Sequence, residues 1–202
     1  MTAPKLLIAS GNPGKYREIK AIFSHLNLDL VTLQDLDIAI EIEETGSTYL
    51  ENAKIKALAC LTEIGLPALA DDTGLEVEAL NGAPSLHSAR FSPIENATDA
   101  DRRNHLLNQL VNKPQPWKAR FQCTAVLALP GGETIVTTGF RQGIIVAEER
   151  GSEGFGYDPV FYIPEYAATM AELPAEIKNQ ISHRAMAMAA MIPHIQERLV
   201  QK

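Results

Sequence analysis

The amino-acid sequence predicts an α/β protein, and three observations carry that reading. Lys5 to Ala9 is a short apolar run ending in Ser10-Gly11-Asn12-Pro13-Gly14-Lys15, after which Ile19, Ile22, Phe23 and Leu26 recur at helical spacing. Leu66 to Ala70 is a second such run, and it follows a helical pattern from Thr48 to about Ile64. Lys118 to Leu129 and Glu133 to Phe140 are strand-like runs around Pro130-Gly131-Gly132, the pattern of a hairpin.

With 202 residues, 46% of them hydrophobic and 21% charged, the chain can bury one substantial core, so 1–202 is read as a single domain. A net charge of −7 argues against an extended nucleic-acid or membrane-surface footprint, which needs clustered positive charge. A small phosphorylated ligand stays compatible, because one pocket can hold a few lysines on an otherwise acidic surface. Cys60 falls in a helical pattern and Cys123 in a strand pattern, so both are expected to be buried free thiols of a reducing compartment. The start of the chain is too short in apolar residues for a signal-peptide core, and no run approaches a membrane span. The expected address is the cytoplasm.

Strand, glycine-rich turn and helix in succession present backbone N–H groups and a helix N-terminus to phosphate. Lys15 adds a mobile cation to that segment. The Walker A pattern is not met, since Ala9 stands where its first glycine would be and Tyr16 where the magnesium-holding hydroxyl would be. A generic phosphate nest and a plain Asn-Pro-Gly turn both fit the spacing. Further on, Glu43-Glu44-Thr45-Gly46-Ser47 is an acidic loop, with Glu43 and Glu44 as candidate oxygen ligands for magnesium or as a solvated pair. Thr48 and Glu51 have capping-box spacing, which makes Glu51 structural. Lys54 and Lys56 lie on opposite sides of the helix axis, and the helical wheel does not choose between them.

Ala70-Asp71-Asp72-Thr73-Gly74 reads as a strand emptying into a turn, with both carboxylates at the strand's carboxyl end, where open α/β sheets bind ligands. The alternative is that Asp71 and Asp72 only hold the turn. Leu75 to Leu80 then alternates as a half-buried strand. His87 is expected in an exposed loop and His105 on the surface of a helix from Thr98 to about Asn112. Trp117 is expected to pack, and Gly143 to Val146 to form a short strand.

Gly151 to Asp158 is a glycine-rich loop before the strand Val160 to Ile163. Its glycines let backbone approach a flat ligand while Phe155 and Tyr157 offer stacking faces; two core aromatics in a tight loop is the other reading. Pro174 to Asn179 is predicted helical. Ser182 is a candidate N-cap, placing His183 and Arg184 in the first turn of a final helix that Pro193 should kink or divide. With Lys178 they form the densest cationic stretch of the chain. Met186, Met188 and Met191 read as core or an oligomer contact.

Taken in order, Ser10 to Lys15, Glu43 to Gly46, Glu51-Asn52-Ala53, Ala70 to Gly74, Ser88-Ala89-Arg90-Phe91, Phe155-Gly156-Tyr157-Asp158 and Ile181-Ser182-His183-Arg184 closely resemble the inosine/xanthosine triphosphate pyrophosphatases, a family acting on non-canonical purine nucleoside triphosphates. The match runs from about Leu7 to about Arg184. The resemblance implies an elongated mixed sheet in two lobes flanked by helices, an active cleft between the lobes, and a homodimer. It implies magnesium-dependent hydrolysis of inosine, deoxyinosine and xanthosine triphosphates to monophosphate and pyrophosphate. By motif, Ser10, Gly11, Asn12, Pro13, Gly14 and Lys15 would bind the triphosphate, and Lys56 would contact phosphate. Glu44 would help hold magnesium, and Asp72 would act as general base and further metal ligand with Thr73 beside it on the substrate. Phe155, Gly156, Tyr157, Asp158, Lys178, His183 and Arg184 would form the base pocket. Threonine replaces the serine that many relatives carry before the glycine, which keeps the hydroxyl.

The residue types suit the reaction: in-line attack at the α-phosphorus needs a base for the water and cations for the phosphate oxygens. A pocket offering donors accepts the 6-oxo group of hypoxanthine or xanthine and mismatches the amino group of adenine. Two other readings fit the same residues, a nucleotide-binding module without hydrolysis and a pyrophosphatase for modified pyrimidine nucleotides.

Overall fold

Strand β1 (Lys5–Ile8) lies between β2 (Asp29–Thr32) and β3 (Ala68–Val77) and runs parallel to both. The structure, a computed structural model, describes residues 3–200, and the ends of the expected 1–202 domain lie outside the described residues. Eight strands form one mixed sheet in the order β2-β1-β3-β5-β6-β7-β8, with β4 (Pro84–Ser85) antiparallel to β3. Here β5 is Trp117–Ala128 and β6 is Thr134–Ile145, while β7 (Phe161–Ile163) and β8 (Ala168–Thr169) add short antiparallel pairings. Among the described residues five α-helices accompany the sheet: α1 (Pro13–Ile22), α2 (Tyr49–Ile64), α3 (Asp99–Leu110), α4 (Ala175–Ile181) and α5 (His183–Ile195). Among the described residues no helix is long and apolar enough to cross a membrane.

The chain divides into two compact units, one drawn from Met1–Asp72, Cys123–Gly139 and His183–Lys202, the other from Thr73–Gln122 and Phe140–Ser182. In the first unit the period-two alternation of strand side chains builds a core on each face of the sheet. Leu6, Ile8, Leu69, Cys123, Ala125 and Leu127 pack with Ile19 and Phe23 of α1 and with Met188 and Met191 of α5. Their neighbours in sequence, Leu7, Ala9, Ala68, Ala70 and Val126, pack with Ala53, Ala57 and Cys60 of α2. The second unit has its own core, in which Leu75, Val77, Phe121 and Phe161 meet Leu106 and Leu110 of α3.

Several expectations are corrected. Asp71-Asp72-Thr73-Gly74 is not a turn: β3 runs without interruption from Ala68 to Val77, absorbing the strand expected at Leu75. The side chains that would have folded back on their own backbone are held instead by cations from flanking helices, and the apolar alternation resumes at Leu75 and Val77. Gly143 to Ile145 likewise belongs to β6 rather than to a separate strand. Strands β2, β4 and β8 have no signal in the sequence pattern, two of them being only two residues long. Helix α5 passes through Pro193 undivided to Ile195, and a π-helical turn, Gln196–Val200, follows it. Thr48 caps α2 by accepting from Glu51 N–H at 3.1 Å, and the Glu51 carboxylate reaches back to Thr48 and to Ser47 N–H, the latter at 2.6 Å, so Glu51 is structural as the capping-box spacing predicts. A full capping box forms between Thr98 and Asp101 at the start of α3. Met188 and Met191 are buried while Met186 is exposed, and both cysteines are free and buried.

Candidate active site

The alternation of β3 sends its two adjacent aspartates to opposite faces of the sheet. Asp71 follows Leu69 onto the face covered by α1 and α5, and Asp72 follows Ala70 onto the face covered by α2. Both are buried, and each meets a lysine from the helix on its own side.

On the α2 face, Lys56 Nζ lies 3.7 Å from Asp72 Oδ1 and 3.2 Å from Glu44 Oε1. One ammonium therefore bridges the strand carboxylate and the acidic loop. Asn52, one turn earlier on α2, donates from Nδ2 to Asp72 Oδ2 at 3.2 Å, while its Oδ1 accepts from Gly46 N–H at 2.8 Å. Those opposed partners orient the amide and tie Asp72 to the loop that carries Glu44. Lys54 is exposed, and it is Lys56 that meets the two carboxylates.

On the other face, the loop leaving β1 ends in Asn12, the N-cap of α1, with Pro13 in the first turn, where its missing N–H is no loss. Asn12 Oδ1 accepts from Gly14 N–H at 2.8 Å and Lys15 N–H at 3.2 Å, and Ser10 Oγ accepts from Asn12 N–H at 3.2 Å. The Asn-Pro-Gly turn expected from the sequence is therefore a helix cap that engages two helix-terminal N–H groups, at an end of α1 whose dipole favours an anion. Lys15 Nζ sits 3.0 Å from Asp71 Oδ2 and also donates to the Asp71 carbonyl at 3.3 Å.

Arg184 stands in the first turn of α5 and is 1% exposed. Its Nε and Nη2 lie 3.3 and 3.2 Å from Asp71 Oδ2, and Nη1 reaches Glu18 Oε2 on α1. Burial works against the guanidinium charge, and the carboxylates of Asp71 and Glu18 more than offset it, so the group holds its proton more tightly than an arginine in water. The approach of α5 depends on Gly139 of β6, where a Cβ would stand 2.2 Å from the His183 carbonyl oxygen and 2.5 Å from Ala187 N. His183 is buried beside Arg184 at the start of the helix. Cys123 Sγ lies 3.7 Å from Asp71 Oδ2.

In the second unit, Thr73 continues β3, half-buried, beyond Asp72. Phe155, Asp158 and Lys178 come together: Lys178 is ion-paired with Asp158 at close range, its Nζ is 5.0 Å from the Phe155 ring centroid, and Phe155 N–H donates to Asp158 Oδ2 at 2.9 Å. Tyr157 is buried and donates its hydroxyl to the Ser88 carbonyl at 2.8 Å; burial pushes its phenol pKa up, so it remains a donor. The cationic stretch expected from the sequence is thereby distributed: Lys178 belongs to the second unit, His183 and Arg184 to the first, and Lys178 and Arg184 each carry a carboxylate partner.

Residues 6–194 match the Ham1 family profile. The chain belongs to the Ham1 family. It is 46% identical over 192 residues to the dITP/XTP pyrophosphatase of Geobacter sulfurreducens, covering 95% of this chain and 96% of that protein. It is 45% identical to the dITP/XTP pyrophosphatase of Thermus thermophilus over 93% of this chain and 90% of the relative. Among solved structures, the HAM1 protein of Coxiella burnetii superposes with a TM-score of 0.86 at 38% identity, covering 96% of this chain and 99% of that one. The Staphylococcus aureus Ham1 protein does so with a TM-score of 0.84 at 39% identity, over 96% and 98%.

Within this Ham1 chain, no group of three or more His, Cys, Asp or Glu side chains converges as a metal cage among the described residues. Glu44 and Asp72 nevertheless fit a hard cation, because both carboxylates already converge on one positive charge, that of Lys56. Two carboxylates supplemented by substrate phosphate and water is a donor set that suits magnesium. Three residues that the structure brings to the candidate site, Asn52, Glu18 and Cys123, have no role that the sequence alone assigns. Helical spacing is the available signal for the first two, since Asn52 precedes Lys56 by four positions and Glu18 follows Lys15 by three. Cys123 has none, because its neighbour is 52 positions away.

Proposed function

We propose that this protein is a nucleoside triphosphate pyrophosphohydrolase that cleaves non-canonical purine nucleoside triphosphates, those of inosine, deoxyinosine and xanthosine, to the monophosphate and pyrophosphate with the help of magnesium. The single observation that carries the reading is the splitting of Asp71 and Asp72 to opposite faces of β3, each against a lysine from the helix on its side. Family membership and relatives named dITP/XTP pyrophosphatase support the same activity.

In this reading Asp72 is the general base. It takes a proton from the attacking water as the water oxygen bonds to the α-phosphorus and the bond from that phosphorus to the bridging oxygen breaks, releasing pyrophosphate. Asn52 holds one oxygen of that carboxylate and so aims the other. Lys15 and Lys56 neutralise phosphate oxygens, and Ser10 to Lys15 receive the triphosphate at the α1 N-terminus with Thr73 as a further substrate contact. Glu44 and Asp72 would hold magnesium, which supplies Lewis-acid charge against the negative charge of the phosphates. Asp71 serves the scaffold instead, since with Lys15 and Arg184 it holds α1 and α5 to β3.

Phe155 and the loop through Gly156, Tyr157 and Asp158, with Lys178, are proposed for the nucleobase, Phe155 by stacking and Lys178 by its charge. His183 and Arg184 are proposed as the donors of the first unit. Donors favour a 6-oxo purine over adenine. The deciding experiment is phosphorus NMR of the products from inosine, adenosine and guanosine triphosphates, with magnesium and with a chelator. Pyrophosphate from the inosine substrate, fastest and only with magnesium, is the expected result; orthophosphate would move the attack to the terminal phosphate, and binding without turnover would make the protein a nucleotide-binding module. A homodimer in the cytoplasm is the setting that the family resemblance implies, testable by light scattering and fractionation.

A further inference from the structure

Gly156 separates the two aromatic residues of the glycine-rich loop, and both of its backbone polar groups are held by side chains. Its N–H donates to Asp99 Oδ2 at 2.8 Å, and its carbonyl accepts from Arg103 Nη1 at 2.8 Å. Asp99 and Arg103 are four positions apart, on one side of the first turns of α3, and both lie in the same unit as the loop. The grip is itself braced. Arg103 is held by Glu149 through a two-fold contact, Nε to Oε1 and Nη2 to Oε2, each at 2.8 Å, and Asp99 is paired with Arg102. Gly156 has φ +62°, a left-handed conformation that the grip must hold in place, while a Cβ there would meet nothing within 4 Å. The requirement at this position is therefore one of backbone conformation and not of space.

We propose that Asp99 and Arg103 are positioning residues for nucleobase recognition, fixing the backbone of Gly156 so that the Phe155 ring is held ready to stack. The inference rests on the base-binding role of the loop proposed above. The neighbouring contacts fit it: Phe155 N–H is tied to Asp158, the Phe155 ring rests over Lys178, and Tyr157 is anchored to the Ser88 carbonyl. The loop is thus fastened at 155, 156 and 157, and the hold on Gly156 comes from α3. Asp99 and Arg103 belong to the second unit, and the carboxylates and lysines proposed for the phosphate chemistry belong to the first.

That separation yields a test. Calorimetric affinities for inosine triphosphate and for inorganic tripolyphosphate, which has no base, are compared with a chelator present, so that turnover does not enter, in wild type, Asp99→Ala, Asp99→Asn and Arg103→Gln, with urea unfolding to establish the folded fraction. Loss of an oriented stacking contact weakens inosine triphosphate by about tenfold in Asp99→Ala and Arg103→Gln and leaves tripolyphosphate unchanged. Asn at 99 keeps an acceptor for Gly156 N–H and restores most of the affinity. Equal weakening of both ligands, or folded variants that bind inosine triphosphate as wild type does, overturns the proposal. Because the readout is binding, it stands apart from the pyrophosphohydrolase assignment, whose failure appears as wild-type protein that releases no pyrophosphate.

Discussion

The guanidinium of Arg184 lies 3.2 Å from Asp71 Oδ2, and both side chains are almost wholly withdrawn from solvent. The pair joins β3 to α5, and through Glu18 it extends to α1, the helix whose N-terminus carries Lys15. Arg184→Met removes the cation that the Asp71 and Glu18 carboxylates share. The expected cost is about 3–5 kcal/mol in urea unfolding. Combined with Asp71→Asn, it should cost clearly less than the sum of the single changes, because the two residues act through each other.

Asp72→Asn removes the proposed base without changing the size of the side chain. Turnover of inosine triphosphate should fall by roughly 10²–10⁴-fold while nucleotide affinity persists, as stopped-flow turnover and calorimetric binding would report. A variant that turned over like wild type would place the base elsewhere.

Asn52→Ala deletes two hydrogen bonds, to Asp72 and from Gly46. Stability should drop by about 1–3 kcal/mol, since buried partners lose their bonds. Asn52→Asp keeps the acceptor for Gly46 but sets a second carboxylate against Asp72. It should therefore lower kcat more than the alanine variant does, and a kcat comparison of the two separates loop support from orientation of the base.

The Asp99 carboxyl supplies a dependence on pH. Partial burial works to raise its pKa, but the bonds from Arg102 and Gly156 N–H and the charge of Arg103 outweigh it and hold it below its ordinary 3.8. A carboxyl depressed on folding contributes stability that is complete above its unfolded pKa and lost as pH falls through the folded value. Urea unfolding of wild type should weaken below pH 3.8 by more than that of Asp99→Asn, and the two curves should run parallel above it.

Much of the fold is legible in the sequence because it depends on local period. The runs at Lys5 and Leu66, the helix capped by Thr48 and the paired runs around Gly131 each announce an element by spacing alone. The strands that spacing misses are short and take their identity from the neighbour they pair with, as Pro84 and Ser85 do from β3. The departure at Asp71 to Gly74 has the same origin. Those residues favour a turn in isolation; in the fold they continue a strand held between β1 and β5, and Lys15, Arg184, Asn52 and Lys56 engage the two carboxylates from outside the segment.

The candidate site divides along the same line. From the sequence come the residue types and their order: the glycine turn with Lys15, the acidic loop, the paired aspartates, the aromatic loop and His183-Arg184. What tertiary structure alone decided was which charges meet. It set Lys56 against Glu44 and Asp72, gave Asp71 to the α1 and α5 face and Asp72 to the α2 face, engaged Arg184 with Asp71 and Glu18, and set Asp99 and Arg103 on Gly156. Local periodicity reports which face of an element is apolar, because burial repeats with the backbone. An ion pair between residues 113 positions apart depends instead on how strands and helices pack, and on one glycine, Gly139, whose missing side chain lets α5 come close enough to form it.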